Sequence, residues 1–326
     1  MYTLTQELDI HYPIFNAGMA FIAGPELASA VTNSGGLGFL GAGILPVPLV
    51  SAQYKAAKSA SHQGPIGVDF LMPFFTEDHL AFILSEKPAV AAFFFGLPEA
   101  EQLQTIQQQG TRVWAIVNSL EEARHAQSLQ ADAIVLQGSQ AGGHNKASLS
   151  VEELFKATYD ALPDIPLIIA GGIVNGLDVK QALDKGAQGV WCGTVFLASV
   201  EANAHPDYKK KVIDCEAGQT QISTAFGPEW PDQPMRVYQN TAVKALGGKV
   251  DHPHIDCIGT SYIGGQPIEM PRYSAILPMA DTQGDVDLMA LTMGTEAARI
   301  QAIRPVSQII AQLSEEITVA QKAYAV

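Results

Sequence analysis

Three glycine-bearing stretches hold the residues best suited to do chemistry. The first, Gln137-Gly138-Ser139-Gln140-Ala141-Gly142-Gly143-His144, follows an apolar run and closes on an imidazole. Glycine and small residues let a backbone fold tightly against a flat ligand, and a histidine beside it can give or take a proton near neutral pH. The second stretch, Gly171-Gly172-Ile173, ends one strand-like run, and the third, Cys192-Gly193-Thr194, ends the next. With no Cβ in the way, backbone N–H groups there can approach phosphate oxygens, and a helix that starts at such a loop adds a favourable dipole.

Other candidates carry less. His252-x-His254 has the spacing of half a metal site, but no third ligand stands near it in sequence, so no metal is expected there. Gly36-x-Gly38-x-x-Gly41 matches the dinucleotide fingerprint by letters, but it follows a helix and opens a strand. The fingerprint needs the reverse order. Cys192 has no base in sequence to activate it and reads as a barrel-lining thiol. Lys209-Lys210-Lys211 is the one basic run, and it reads as a solvated helix face.

These loops must be positioned by the elements around them. Apolar, β-branched or aromatic runs at 13–17, 37–42, 66–72, 90–96, 113–117, 133–137, 167–170 and 189–196 are apolar on both faces, as buried parallel strands are. Helical spacing lies between them. Leu27, Ala30 and Val31 follow Pro25-Glu26. Leu154, Thr158 and Leu162 follow Ser150, an N-cap with Glu153 three residues on. Val179, Ala182 and Leu183 precede Gly186, a C-cap glycine. Eight such units, with the glycine turns late, predict a (β/α)8 TIM barrel over 1–200 rather than an open doubly wound sheet. In that barrel the chemistry sits where strands end, and the loops after strands 7 and 8 form a phosphate site. Residues 201–326 read as a helical and irregular extension that packs near the barrel mouth and completes the substrate site. Helices are expected at 285–300 and 305–323, and 248–282 is expected to be irregular.

Composition narrows the function classes. The chain has 326 residues, of which 47% are hydrophobic and 16% charged, so a large core is available. Lys and Arg number 19 against 33 Asp and Glu, a net charge of −14. That surface repels nucleic acid and anionic bilayers. The longest apolar run, 89–97, is far short of the ~20 residues a membrane span needs. Three scattered cysteines give no disulfide framework, and no leader pattern opens the chain. The expectation is a cytoplasmic protein.

Together these residues resemble the FMN-dependent nitronate monooxygenase family, also called 2-nitropropane dioxygenases, over nearly the whole chain. Tyr12-Pro13-Ile14-Phe15-Asn16-Ala17-Gly18-Met19 resembles the family's opening strand, whose end lies against the flavin. Gly67-Val68-Asp69 stands where the family has Gly-Val-Asn. The stretch from Gln137 to His144 resembles the signature that carries the catalytic histidine, with Gln140 in place of a usual Glu. Ile169-Ala170-Gly171-Gly172-Ile173 and Gly193-Thr194-Val195-Phe196 resemble the FMN-phosphate loops.

The resemblance implies a flavoenzyme that oxidises an alkyl nitronate with O2 to a carbonyl compound and nitrite. It implies His144 as the catalytic residue, and FMN held by Ala17, Gly18, Met19, Asp69, Gln137, Gly142, Gly143, Gly171, Gly172, Cys192, Gly193 and Thr194. Tyr273 and Ser274 would reach the substrate from the tail. No metal is implied. The partners are a nitronate or nitroalkane and O2, and a homo-oligomer is compatible with the pattern. Two alternatives stay open. One is an NAD(P)H-dependent FMN reductase of an enoyl-acyl-carrier-protein or quinone type, which Glu201-Ala202-Asn203-Ala204-His205-Pro206 resembles. The other is a flavin-binding module without turnover.

Overall fold

The structure is a computed structural model and describes residues 4–246 and 256–324. Its strands are β1 (Ile14–Asn16), β2 (Gly38–Gly43), β3 (Ile66–Leu71), β4 (Val90–Phe94), β5 (Arg112–Val117), β6 (Ala133–Gln137), β7 (Gly143–His144), β8 (Leu167–Ala170), β9 (Gly189–Cys192), β10 (Thr220–Ser223), β11 (Met235–Tyr238), β12 (Cys257–Ile263), β13 (Gln266–Pro271) and β14 (Gln283–Gly284). Eight of them run in the order β1-β9-β8-β6-β5-β4-β3-β2, each pair parallel, with helices between successive strands. This is a (β/α)8 TIM barrel.

The ring closes between β1 and β2. Phe15 and Leu37 form a parallel bridge, and the Leu37 N–H donates to the Ile14 carbonyl at 3.1 Å. Beyond that point a side chain takes over from the ladder. The buried Asn16 carboxamide accepts from the Phe39 N–H and donates to the Phe39 carbonyl, both at 2.8 Å.

Alternation along each strand divides its residues between two layers. Phe15, Phe39, Trp114 and Trp191 fill the barrel interior, with ring centroids 4.5–6.4 Å apart. Gly67 and Gly189 make room for them. A Cβ at Gly67 would lie 2.3 Å from the Phe39 ring, and one at Gly189 would lie 2.5 Å from Phe15. Ile66, Val68 and Phe70 face the helices instead. Asp69, between the last two, therefore points inward, above Gly67 and below Leu71.

The helices begin and end where their caps dictate. Ser150 and Glu153 form a reciprocal capping box at the helix Val151–Ala161, and Asn175 with Asp178 does the same for Gly176–Asp184. Gly186 follows that second helix at φ +101°, a conformation that favours glycine. The last barrel strand stops at Cys192 rather than running to Phe196, because Gly193 opens a short helix, Thr194–Leu197.

The extension differs in detail from the pattern its sequence suggests. The helix Val306–Tyr324 is present and packs on Pro25–Asn33 and Gly176–Asp184 at the side of the barrel. The carboxylate of Glu201 accepts from its first N–H at 3.0 Å. The 285–300 helix is not there; that stretch holds only two short 3-10 turns, Val286–Leu288 and Thr295–Arg299. Between them the chain runs extended beside β11, where the Tyr238 N–H donates to Leu291 and Val237 bridges Thr292. Two small sheets complete the extension, β10-β11-β7 and β13-β12-β14. Among the described residues, no helix is long and apolar enough to cross a membrane.

Candidate active site

A cavity opens at the C-terminal ends of the barrel strands, roofed by the extension. His144 and all twelve residues expected to hold a cofactor line it: Ala17, Gly18 and Met19 after β1, Asp69 on β3, Gln137 at the end of β6, Gly142 and Gly143 before the histidine, Gly171 and Gly172 after β8, and Cys192, Gly193 and Thr194 after β9. The roof adds Glu229, Trp230, Met235, Ile276, Thr292, Met293 and Glu296. Among the described residues, no lysine or arginine lines the cavity.

Tyr273 and Ser274 do not line it. The Ser274 hydroxyl donates to the Glu229 carboxylate, and the Ala275 N–H donates to the same carboxylate at 3.0 Å. Tyr273 packs on Phe226. Their role is to hold the roof segment that presents Glu229. Alternation places Cys192 with Val190 in the layer between strands and helices, so its thiol belongs to that packing. Burial raises the pKa of the thiol far above its usual range, and nearby Asp178 adds to the effect. Among the described residues, no cluster of ligating side chains could hold a metal; His252 and His254 lie outside the described residues.

The histidine loop is held by side-chain amides whose partners the sequence does not reveal. Asn145, 2% exposed, donates from Nδ2 to the carbonyls of Gly138 and Ala141, both at 2.9 Å. Its own N–H reaches Pro234 at 2.9 Å. Gln140 donates to Glu152 at 3.0 Å and accepts from the Val151 N–H at 2.9 Å. A glutamate there could accept but not donate, and it would face the Glu152 charge. Met235 and Arg236 on β11 pair with His144 and Gly143 on β7, and Arg236 Nε donates to the Ser139 carbonyl at 2.9 Å. Asn118, after β5, fixes the Gln137 side chain by donating to its Oε1 at 2.8 Å, which leaves the Gln137 Nε2 as a donor.

His144 sits against an aromatic wall. Its ring centroid is 4.8 Å from Trp230 and 6.0 Å from Phe95. Trp230 in turn packs on Phe95 at 4.7 Å and Phe74 at 5.3 Å. Lys146 Nζ lies 4.4 Å from the Phe95 centroid, a cation–π contact. Phe95 holds φ +63°, a strained conformation for a bulky side chain. Burial, helped by the Lys146 charge, lowers the His144 pKa to about 4. The imidazole is therefore neutral at pH 7, with one N–H donor and one acceptor nitrogen.

The residues at the far end fit a phosphorylated flat group. Gly172 and Gly143 both hold φ +78°. A Cβ at Gly143 would meet nothing within 4 Å, and one at Gly172 only Glu296 Cγ at 3.9 Å, so both face open space. Among the described residues, the N–H groups of Gly172 and Ile173 donate to no protein acceptor. Asp69 Oδ1 is buried without a partner at the opposite wall. The Thr194 hydroxyl already accepts from the Gly294 N–H at 3.0 Å, and its own proton stays free to donate.

Comparison with known proteins agrees with this architecture. The family model for nitronate monooxygenase matches residues 2–77 and 75–316. The chain belongs to the nitronate monooxygenase family. It is accordingly a flavin-dependent oxidoreductase. A probable nitronate monooxygenase of Staphylococcus aureus (strain Newman) is 26% identical over 96% of both chains. One of Bacillus subtilis (strain 168) is 30% identical over 73% of this chain and 85% of that one. Among solved structures, a nitroalkane oxidase from Streptomyces ansochromogenes is similar at TM-score 0.80 and 25% identity, covering 98% of this chain and 99% of the other. FabK from Thermotoga maritima is similar at TM-score 0.79 and 26% identity, covering 100% of each.

Proposed function

We propose that this member of the nitronate monooxygenase family binds FMN and oxidises small alkyl nitronates with O2, giving a carbonyl compound and nitrite. The observation that carries the reading is His144. It is a neutral imidazole presented to the cavity by β7 and set against Trp230 and Phe95, in the same cavity as the glycine loops after β8 and β9.

Backbone N–H groups at Gly172 and Ile173, with Gly193 and the Thr194 hydroxyl, would hold the phosphate. Gln137 Nε2, the Gly142-Gly143 backbone, Asp69 and the Ala17–Met19 turn would hold the ring. When bound, the flavin supplies the electron transfer and the reaction with oxygen. The protein does the rest. The aromatic wall receives the alkyl part of the substrate and keeps water from it. The His144 N–H donates to a nitro oxygen and fixes the anion above the ring position. Its second nitrogen can accept the α-proton of a neutral nitroalkane. A group whose pKa is about 4 is a poor base at pH 7, so hydrogen bonding is its larger role. Residues 1–200 would bind the cofactor, and 201–326 would complete the substrate site through Trp230 and Met235.

The likeness to FabK is as close as that to the nitroalkane oxidase, so the fold leaves a second reading, reduction of a substrate by NAD(P)H. One experiment separates them. The yellow protein, mixed without nicotinamide with an alkyl nitronate and oxygen, should release nitrite and consume O2. His144→Ala should lower kcat/KM for the nitronate and for the neutral nitroalkane by a similar factor, about 10–10²-fold, the worth of a hydrogen bond to an anion. Rapid reduction of the flavin by NADH or NADPH, with no nitrite from the nitronate, would transfer the reading to the reductase.

A further inference from the structure

Asp69 is the departure from the family pattern that the cavity makes most conspicuous. It points into the barrel from β3 and is 8% exposed, and its Oδ1 has no hydrogen-bond partner. Gly18 lies so close that a Cβ there would be 2.2 Å from Asp69 Cβ.

No positive charge reaches it from any element packed around it. Its lateral neighbours in register are Gly41 on β2 and Ala92 on β4. Neither of those strands carries a titratable side chain, and neither does the 17–21 turn or the Met72–Phe74 turn. The other titratable groups at the cavity are His144, which is neutral, Cys192, which burial keeps as a thiol, and the acids Glu229 and Glu296. A carboxylate buried among apolar groups, with only acids for company, favours its protonated form.

Resting on the flavin reading above, we propose that Asp69 is a neutral carboxylic acid at physiological pH and donates a hydrogen bond to an acceptor atom of the bound flavin. A protonated carboxyl has one donor and one acceptor, the same pair that a side-chain amide offers. The acid thus replaces the family's carboxamide in shape and in hydrogen-bonding sense. Burial, which pushes the ionisation of this group well above the ordinary carboxyl range, agrees with the geometry.

The test has two readouts, one of which needs no flavin. Infrared difference spectra of wild type against Asp69→Asn, recorded at pH 7 on flavin-free protein, should show the carbonyl band of a protonated carboxylic acid. FMN dissociation constants should then rank the variants. Asp69→Asn, which keeps a donor, should bind within about threefold of wild type, and Asp69→Leu, which fills the same space without one, at least tenfold more weakly. Absence of the acid band, or FMN binding by Asp69→Leu as tight as wild type, would overturn the proposal. If wild type bound no FMN at all, the flavin reading itself would fail, and the band would still report the state of the acid.

Discussion

The buried neutral imidazole of His144 predicts a specific pH dependence of stability. The perturbation is His144→Gln, which keeps a polar side chain of similar reach but cannot titrate. In the unfolded chain a histidine titrates near 6.5; in the fold His144 titrates near 4. Between those values the unfolded chain binds a proton that the native chain refuses, so stability is lost as pH falls. Working the linkage through, the wild type should lose about 2 kcal/mol by pH 5 and about 3 kcal/mol by pH 4 on account of this one residue. Every other group titrates alike in both proteins and cancels in the difference. Urea unfolding of flavin-free wild type and variant at pH 7, 6, 5 and 4.5 measures it. The two stabilities should converge or cross as pH falls, the gap changing by about 2 kcal/mol by pH 5. Parallel curves over that range would show that His144 is not held neutral by burial, and the hydrogen-bonding role assigned to it would fall with that.

Gly172→Asp places a carboxylate and a Cβ at φ +78° where a phosphate should sit; the purified variant should contain little FMN while its circular dichroism matches wild type. Asn16→Leu removes two buried hydrogen bonds across the barrel seam and should cost about 2–5 kcal/mol in urea unfolding, whereas a loss under about 0.5 kcal/mol would mean the seam closes without them. Trp230→Ala admits water to the imidazole, so the His144 titration followed by NMR should move up from about 4 toward 6.5, and KM for longer alkyl nitronates should rise more than for short ones.

The barrel was legible because its strands are apolar on both faces, a pattern that survives without any knowledge of neighbours. The observed boundaries of β1 to β6 and of β8 fall within two residues of the runs that announce them. The small sheets were hidden for the opposite reason. Thr220–Ser223 is polar and half exposed, and Gly143–His144 is two residues long, so neither has a periodicity to read. The β12–β13 hairpin did leave a sign, Gly264-Gly265 between Ile263 and Gln266, but Pro267 and Pro271 made the flanks look irregular. In the site, glycines and the histidine announce themselves by type and order. Asn118 and Asn145 do not, since a lone amide acquires its task only when the fold brings carbonyls to it. Trp230 stands on a turn some 85 positions after His144, and only the docking of the extension brings the two rings together.

The pairing of β7 with β11 has a consequence for how this protein is made. The strand that steadies His144 leaves the ribosome about 90 residues after it, and Met293 and Gly294, against which Gly142 rests, come later still. At the ordinary pace of synthesis, roughly 5–20 residues per second, the segments that roof the cavity emerge over some 5–20 s after the last barrel strand. During that interval the glycine loops are exposed and the reacting end is unfinished. The cavity is complete only when the last hundred residues have closed over it.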